Sequence, residues 1–455
     1  MKLQGIYQHL YIFYSIVFIL HIGNTFIKSS QIDYFVGLLA IPMLFLSFIT
    51  ATKLFKVIGL VFISIGLFLF ISEGHNFLHL PYFMTSTISL LALLAMLPWM
   101  NSVVRSGRFD KKLNQLMRAN VEDLGKLYPR SAITAYSLGA FLNLTAVPVS
   151  QAVLKESLST VKDKVKNTFI IMTTLRGFSV ALLWSPLEVM VALSISTTGV
   201  GYASLLPWLL IISIAAFIGD SLWGRFFYRK TPYESPNKNH QLNTKVLMKK
   251  IIQLIIALSL FLATVIIIGN VFYLDFILTV TLILFPFAAV WSIIIKRWRT
   301  FWTIGWETWK VRTNSMQNFV VLFLALALFS NSLQGTTLLQ VIQYPVLSAA
   351  DYPILILIIL QLTFLVMALF GVHPVATIGI LSEVITPLLT VMNPLSIAIV
   401  LITGSALNCT SGTYGMAVTL TSMNTKQNPY RITALNLPHA LYVIVLGTAV
   451  AYFLL

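Results

Sequence analysis

The chain has 455 residues, of which 58% are hydrophobic and 10% charged, where ordinary globular chains carry about a quarter charged. That composition excludes a soluble domain of any size and gives an integral membrane protein built of spanning helices. The net charge of +16 does not point to nucleic acid, because the cations lie in short loops between apolar runs, where the positive-inside bias puts them.

A spanning helix needs roughly 20 apolar residues, so about ten or eleven are expected. The first four are expected over 8–27, 32–52, 57–72 and 82–100. The apolar run behind Met1-Lys2 lacks a small-residue cleavage site and more spans follow it, so it reads as the first helix and not as a signal peptide. Segment 101–131 carries seven cations, with Val104, Leu113, Leu116, Met117, Leu124 and Leu127 at helical spacing. It is expected to lie on the inner surface as an amphipathic helix.

If 132–150 crossed, the lysines at 155–166 and the cations at 225–250 would fall outside. A re-entrant hairpin over about 132–160 keeps both clusters inside, with its turn near Asn143–Pro148. A broken helix follows over 168–196, containing Trp184-Ser185-Pro186-Leu187-Glu188, then a span over 203–223. Residues 225–250 are expected as a cytoplasmic linker between an N-terminal half, 1–224, and a C-terminal half, 251–455.

The second half opens with spans over 251–269 and 272–295. In 296–312, Trp298, Trp302, Trp306 and Trp309 recur among five cations, as an interfacial aromatic belt or a cation-binding stripe. A hairpin-like stretch over 313–348 with a polar tip at Ser330-Asn331-Ser332 then precedes a broken helix over 352–391. Asn143 precedes Pro186 by 43 positions, as Asn331 precedes Pro374. The halves therefore read as two repeats, inverted or parallel, each pairing a hairpin with an interrupted helix. Irregular backbone at membrane depth survives only where protein or a wet cavity surrounds it, and paired interruptions point to a transporter's binding site.

Arg176, buried in its span, suits a carboxylate through its fork of donors; the alternative is an ion pair with Glu188. Twelve residues of unbroken helix would part those two by roughly 18 Å, so pairing needs the break at Ser185-Pro186. Glu188 and Glu383 lie in apolar helices and are candidates for binding a coupling ion, sodium or a proton. His373, beside Pro374, titrates in the physiological range or caps a freed carbonyl. Asp220 is expected near the interface. Asn143 and Thr145, Ser330-Asn331-Ser332 and the polar run 403–415 can line a site through hydroxyls, amides and half-helix termini, or simply allow close packing. Cys409 is the only cysteine, which excludes intrachain disulfides, thiolate zinc clusters and CxxC chemistry. No phosphate loop, HExxH or GxSxG is present, so no catalytic set, metal site or cofactor is expected.

On Asn143-Leu144-Thr145, Ser330-Asn331-Ser332 and the breaks at Ser185-Pro186 and His373-Pro374, the chain resembles the ion transporter superfamily, in particular divalent-anion/sodium symporters and arsenite permeases. The resemblance covers about 30–455 in layout, though neither tip reads Ser-Asn-Thr. It implies an elevator-type carrier, often a homodimer.

The expectation is an all-α polytopic secondary transporter of a bacterial plasma membrane. It would carry a small organic anion with sodium or protons, with lipid around it and no nucleic-acid partner. The expected site residues are Asn143, Thr145, Arg176, Ser185, Asn331, His373, Asn408, Thr410 and Ser411, with Glu188 and Glu383 for coupling. A cation/proton antiporter is the first alternative; a lipid-acting enzyme or scaffold is the second.

Overall fold

In a computed structural model, residues 7–118, 121–234, 244–349 and 351–455 are described. The helices α1–α4 are Leu10–Ile27, Ser30–Thr50, Lys53–Ser72 and Ile88–Ser106. A short α5 (Phe109–Leu113) leads to α6 (Leu124–Leu142), α7 (Ala146–Ser157), α8 (Asp163–Leu182), α9 (Val189–Thr198) and α10 (Tyr202–Tyr228). Then come α11 (Thr244–Phe272), α12 (Phe276–Ile294), α13 (Trp298–Asn314), α14 (Gln317–Leu333) and α15 (Thr337–Ser348). The last five are α16 (Pro353–Leu369), α17 (Pro374–Ile385), α18 (Pro394–Ser411), α19 (Met416–Thr425) and α20 (Pro429–Phe453).

Among the described residues, ten helices are long and apolar enough to cross a membrane, or up to eleven if α13 and α14, bent by 53°, form one span. The expected all-α polytopic fold is the observed one. Residues 235–243, the middle of the expected linker, lie outside the described residues. The expected amphipathic helix over 101–131 is not continuous. Its start ends α4, its end begins α6, and among the described residues α5 and a 3-10 turn lie between.

The chain divides into two compact units. The first comprises the described residues of Met1–Val103, Tyr273–Ser348 and Gly379–Leu388. Its core is the contact between α3 and α14, where Phe62 stacks on Phe329 with ring centroids 5.2 Å apart. Gly66 makes that approach possible: a Cβ there would lie 3.1 Å from the backbone of Phe329. On α13, Trp298, Trp302 and Trp306 are each 41–45% exposed and form one stripe of neighbouring rings.

The second unit comprises the described residues of Val104–Phe272, Ala349–Ile378 and Leu389–Leu455. Here α6 and α8 run parallel: Tyr128 packs on Phe169, Gly177 approaches Ala132, and Ser185 bonds Ala140. Gly177 lets the backbones touch, since a Cβ there would lie 2.6 Å from the Ala132 carbonyl. Between them α7 runs the other way, with Gln151 opposite Thr174 and Ser157 near the level of Glu122, both bonded by Tyr233. Thus α6 and α7 form a hairpin whose tip is Asn143–Thr145.

The same order recurs in α16 to α20. Helices α7 and α17 both have twelve residues, and α9 and α19 both have ten, ending on left-handed Gly199 and Lys426. Helices α16 and α18 run parallel, joined by Gln361 to Thr403 at 2.7 Å and by Asn408 to the Val372 carbonyl at 2.9 Å. The chain therefore turns back after 370–373 and regains that length before Pro394. Helix α18 is interrupted at Gly412–Gly415 before α19. The equivalent helices α10 and α20 are antiparallel, since Trp208 meets Phe453 and Ala215 meets Tyr442. The repeats are inverted.

This arrangement shifts the second repeat from where the sequence placed it. The first interruption falls at 183–188, as expected. In the second half, 313–348 is not the hairpin of the repeat: Ser330-Asn331-Ser332 lies in the last turns of α14. Gly371-Val372-His373-Pro374 is a hairpin tip, not the middle of a crossing helix, and the interrupted helix is 394–425. Proline alone does not mark a break, because Pro42, Pro207 and Pro438 all lie inside continuous helices.

Candidate functional site

In the second unit, each hairpin tip rests on the interruption that follows it. At the first, Asn143 adopts φ 47°, ψ −138°, a conformation few non-glycine residues take. Its Oδ1 accepts from the Leu144 N–H at 2.6 Å, which fixes the turn. Its Nδ2 donates to Glu188 Oε2 at 2.9 Å. Thr145 closes the same turn by donating to the Leu142 carbonyl. Ser185 donates to the Ala140 carbonyl at 3.0 Å and accepts from the Leu187 N–H, which ties interruption to tip. Glu188 is 7% exposed and stands at the N-cap position of α9. The N-terminal ends of α7 and α9 thus lie together, beside the C-terminal ends of α6 and α8. Such half-helix ends can hold an anion and a bare cation respectively.

At the second tip, Asn408 donates to the Val372 carbonyl, and His373 Nδ1 accepts from the Val375 N–H at 3.3 Å. Gly371, at φ +78°, lies against Tyr414 of the interruption. Thr410 and Ser411 both donate to the Leu407 carbonyl and keep acceptor lone pairs. The two repeats share a core in which Val147, Leu175 and Leu182 pack with Ala417 and Val418, with Leu144 and Cys409 at its edge.

Arg176 is not part of this site. Its side chain is 4% exposed, and each of its three nitrogens donates a hydrogen bond. Nη1 pairs with Asp220 at 2.9 Å, Nε donates to Asn436 at 3.1 Å, and Nη2 donates to the Leu435 carbonyl at 2.7 Å. Trp223 covers its face, 4.8 Å away. The partner is therefore Asp220 on α10, not Glu188, and Asp220 is itself buried. Tyr128 donates to the other Asp220 oxygen at 3.0 Å, and His439 lies 3.6 Å from the first. The rule that an intramembrane ion has a partner could have found Asp220, but only a contact across 44 positions joins them.

Asn331 and Glu383 belong to the first unit. Asn331 donates to the Phe83 carbonyl at 2.8 Å and to Ser86 at 3.2 Å. Glu383 accepts from Ser330, and its carbonyl accepts from Gln343. Of the expected set, the second unit gathers Asn143, Thr145, Ser185 and Glu188 at one tip, and His373, Asn408, Thr410 and Ser411 at or beside the other. Among the described residues, no group of three His, Cys, Asp or Glu could hold a metal.

The sequence reading missed Gln151. It is 2% exposed, donates to Thr174 at 3.1 Å and Thr421 at 2.8 Å, and accepts from Asn424 at 2.9 Å. One amide thereby joins α7, α8 and α19.

No family model matches the chain, and no curated protein sequence does. Among solved structures, it is similar to the YdaH transporter of Alcanivorax borkumensis, whose topology is reported as unusual. Identity is 14% and the TM-score 0.56, over 88% of this chain and 97% of that one. It is also similar to MtrF of Neisseria gonorrhoeae, reported with a class of antimetabolite efflux pumps. There identity is 11% and the TM-score 0.57, over 87% of this chain and 94% of that one. At these identities the likeness is one of fold, a polytopic helical fold shared with transporters over nearly its whole length.

Proposed function

We propose that the chain is a secondary active transporter that moves a small carboxylate-bearing anion across a bacterial plasma membrane by alternating access. Sodium or a proton supplies the coupling. The observation that carries this reading is the inverted pair of hairpins, each with its tip on an interrupted helix, with Glu188 held by Asn143 at one of them. The likeness in fold to two transporters supports the same class. Membership of the ion transporter superfamily and a homodimeric assembly are part of the proposal.

Because each nitrogen of Arg176 already donates, to Asn436, Asp220 and Leu435, we assign it to the fold and not to the anion. That role falls to the N-terminal end of α7, with Asn143 and Thr145, and to Asn408 and His373 from the second repeat. Glu188 binds the coupling ion.

The same observation favours a second reading. Glu188 is the one acidic residue in the two tips and two interruptions, and no arginine or lysine accompanies it there. A cation/proton antiporter would use this arrangement directly.

Thermal stabilisation of the purified protein decides between them. A ligand at about 100 times its Kd stabilises the folded state by about 2.7 kcal/mol. A shift with a carboxylate, deepened by sodium or by acid, supports anion transport. A shift with cations alone, indifferent to every anion, replaces it with the antiporter.

A further inference from the structure

Beyond the tips, the second unit holds a cavity of about 190 Å³ lined by Pro148, Gln151, Lys155, Asn167, Asn424 and Thr425, with Ala152 and Ile170 completing its apolar wall. It lies between the return arm of the first hairpin, α8 and α19. Its volume exceeds the roughly 150 Å³ cavity that accommodates benzene. Its floor is rigid, because the buried Gln151 is held by Thr174, Thr421 and Asn424. Its rim carries one charge: Lys155, whose Nζ donates to the Asn424 carbonyl at 3.4 Å and has further donors to offer. The Asn167 carboxamide can offer an N–H beside it. Residues 155–166 hold four lysines against two acids, and Asp163 is already paired with Lys166. The segment that joins Lys155 to Asn167 is thus net positive.

The repeat does not duplicate this feature. Lys155 is the tenth of the twelve residues of α7, and the tenth of the twelve in α17 is Glu383. Fold symmetry therefore accounts for the arm but not for the lysine.

We infer that this cavity is a capture site for small carboxylates with a compact apolar body. It is separate from the hairpin tips, and Lys155 supplies its selectivity for anions. The inference rests on the transporter reading and adds a place where the anion is held before it reaches the tips. Positive-inside placement of the 155–166 lysines puts the site on the cytoplasmic face, so capture concerns anions arriving from the cytoplasm.

The test uses 4-fluorobenzoate as probe and the full-length protein in nanodiscs, with binding read from fluorine NMR line widths. Saturable binding is expected, with affinity falling about tenfold in Lys155→Gln, the scale of one charge-assisted hydrogen bond. It should be retained in Glu188→Gln. Lys155 is exposed, so its replacement leaves the fold intact. Binding that is unchanged in Lys155→Gln, binding lost only in Glu188→Gln, or no binding at millimolar probe would each overturn the capture site. Solute counterflow in proteoliposomes separates the two ideas. Lys155-dependent binding without counterflow would sink the transporter reading alone, and counterflow with Lys155-independent binding would sink the capture site alone.

Discussion

Replacing Arg176 by glutamine tests whether its charge serves the fold or the cargo. The substitution removes three hydrogen bonds, to Asp220, Asn436 and the Leu435 carbonyl. Hydrogen bonds between membrane helices average about 0.6 kcal/mol in double-mutant cycles, so these three come to about 2 kcal/mol. The larger loss is electrostatic. Asp220, 6% exposed, would keep only Tyr128 and His439 as partners, and stripping one member from a buried pair costs about 3–5 kcal/mol. A total near that range is expected, with little solvent screening to reduce it. The double variant Arg176→Gln/Asp220→Asn should recover most of the loss, because no buried charge is then left unpaired. Reversible unfolding by SDS titration in mixed micelles gives both numbers, and counterflow by the folded fraction gives function. Wild-type stability in Arg176→Gln together with abolished anion exchange would refute the structural assignment and return Arg176 to the binding site.

Other expectations follow from single contacts. Asn143→Ala should cost about 1–3 kcal/mol, because alanine cannot tolerate φ 47°, ψ −138° without strain; Asn143→Gly should restore stability without restoring the bond to Glu188. If both variants are equally stable, the strain argument is wrong. Gly177→Ala should destabilise the unit by about 1–3 kcal/mol through overpacking, since the new Cβ would lie 2.6 Å from the Ala132 carbonyl. An unchanged melting temperature would mean that α6 and α8 do not approach as described.

Much of the fold was legible because membrane depth is unforgiving. Apolar runs of about 20 residues, clusters of lysine in the loops at 155–166 and 225–250 and a proline-marked interruption at 183–188 located the first repeat and its tip at Asn143. The second repeat was misplaced for a physical reason. A helix that ends in Ser330-Asn331-Ser332 has the composition of a hairpin tip, and His373-Pro374 has that of a mid-helix break. Composition cannot distinguish a chain that turns back from one that continues. The glycines at 371, 412 and 415 carried that signal more faithfully than the prolines. Arg176 was misassigned because its partner lies on a different helix. Lys155 and Gln151 were not singled out because an amide and a lysine in a short polar segment look like ordinary loop-facing residues.

The central claim is that Glu188, held by Asn143 at the first hairpin tip, couples ion movement to cargo movement. The most direct measurement compares wild type with Glu188→Gln in proteoliposomes, in solute counterflow and in accumulation driven by an imposed pH or sodium gradient. The cargo is the anion that stabilises the purified protein. Wild type should do both, and Glu188→Gln should exchange cargo while losing at least about tenfold of the gradient-driven accumulation, the loss expected when about 1.4 kcal/mol or more of coupling is removed. Accumulation by Glu188→Gln equal to wild type would contradict the account.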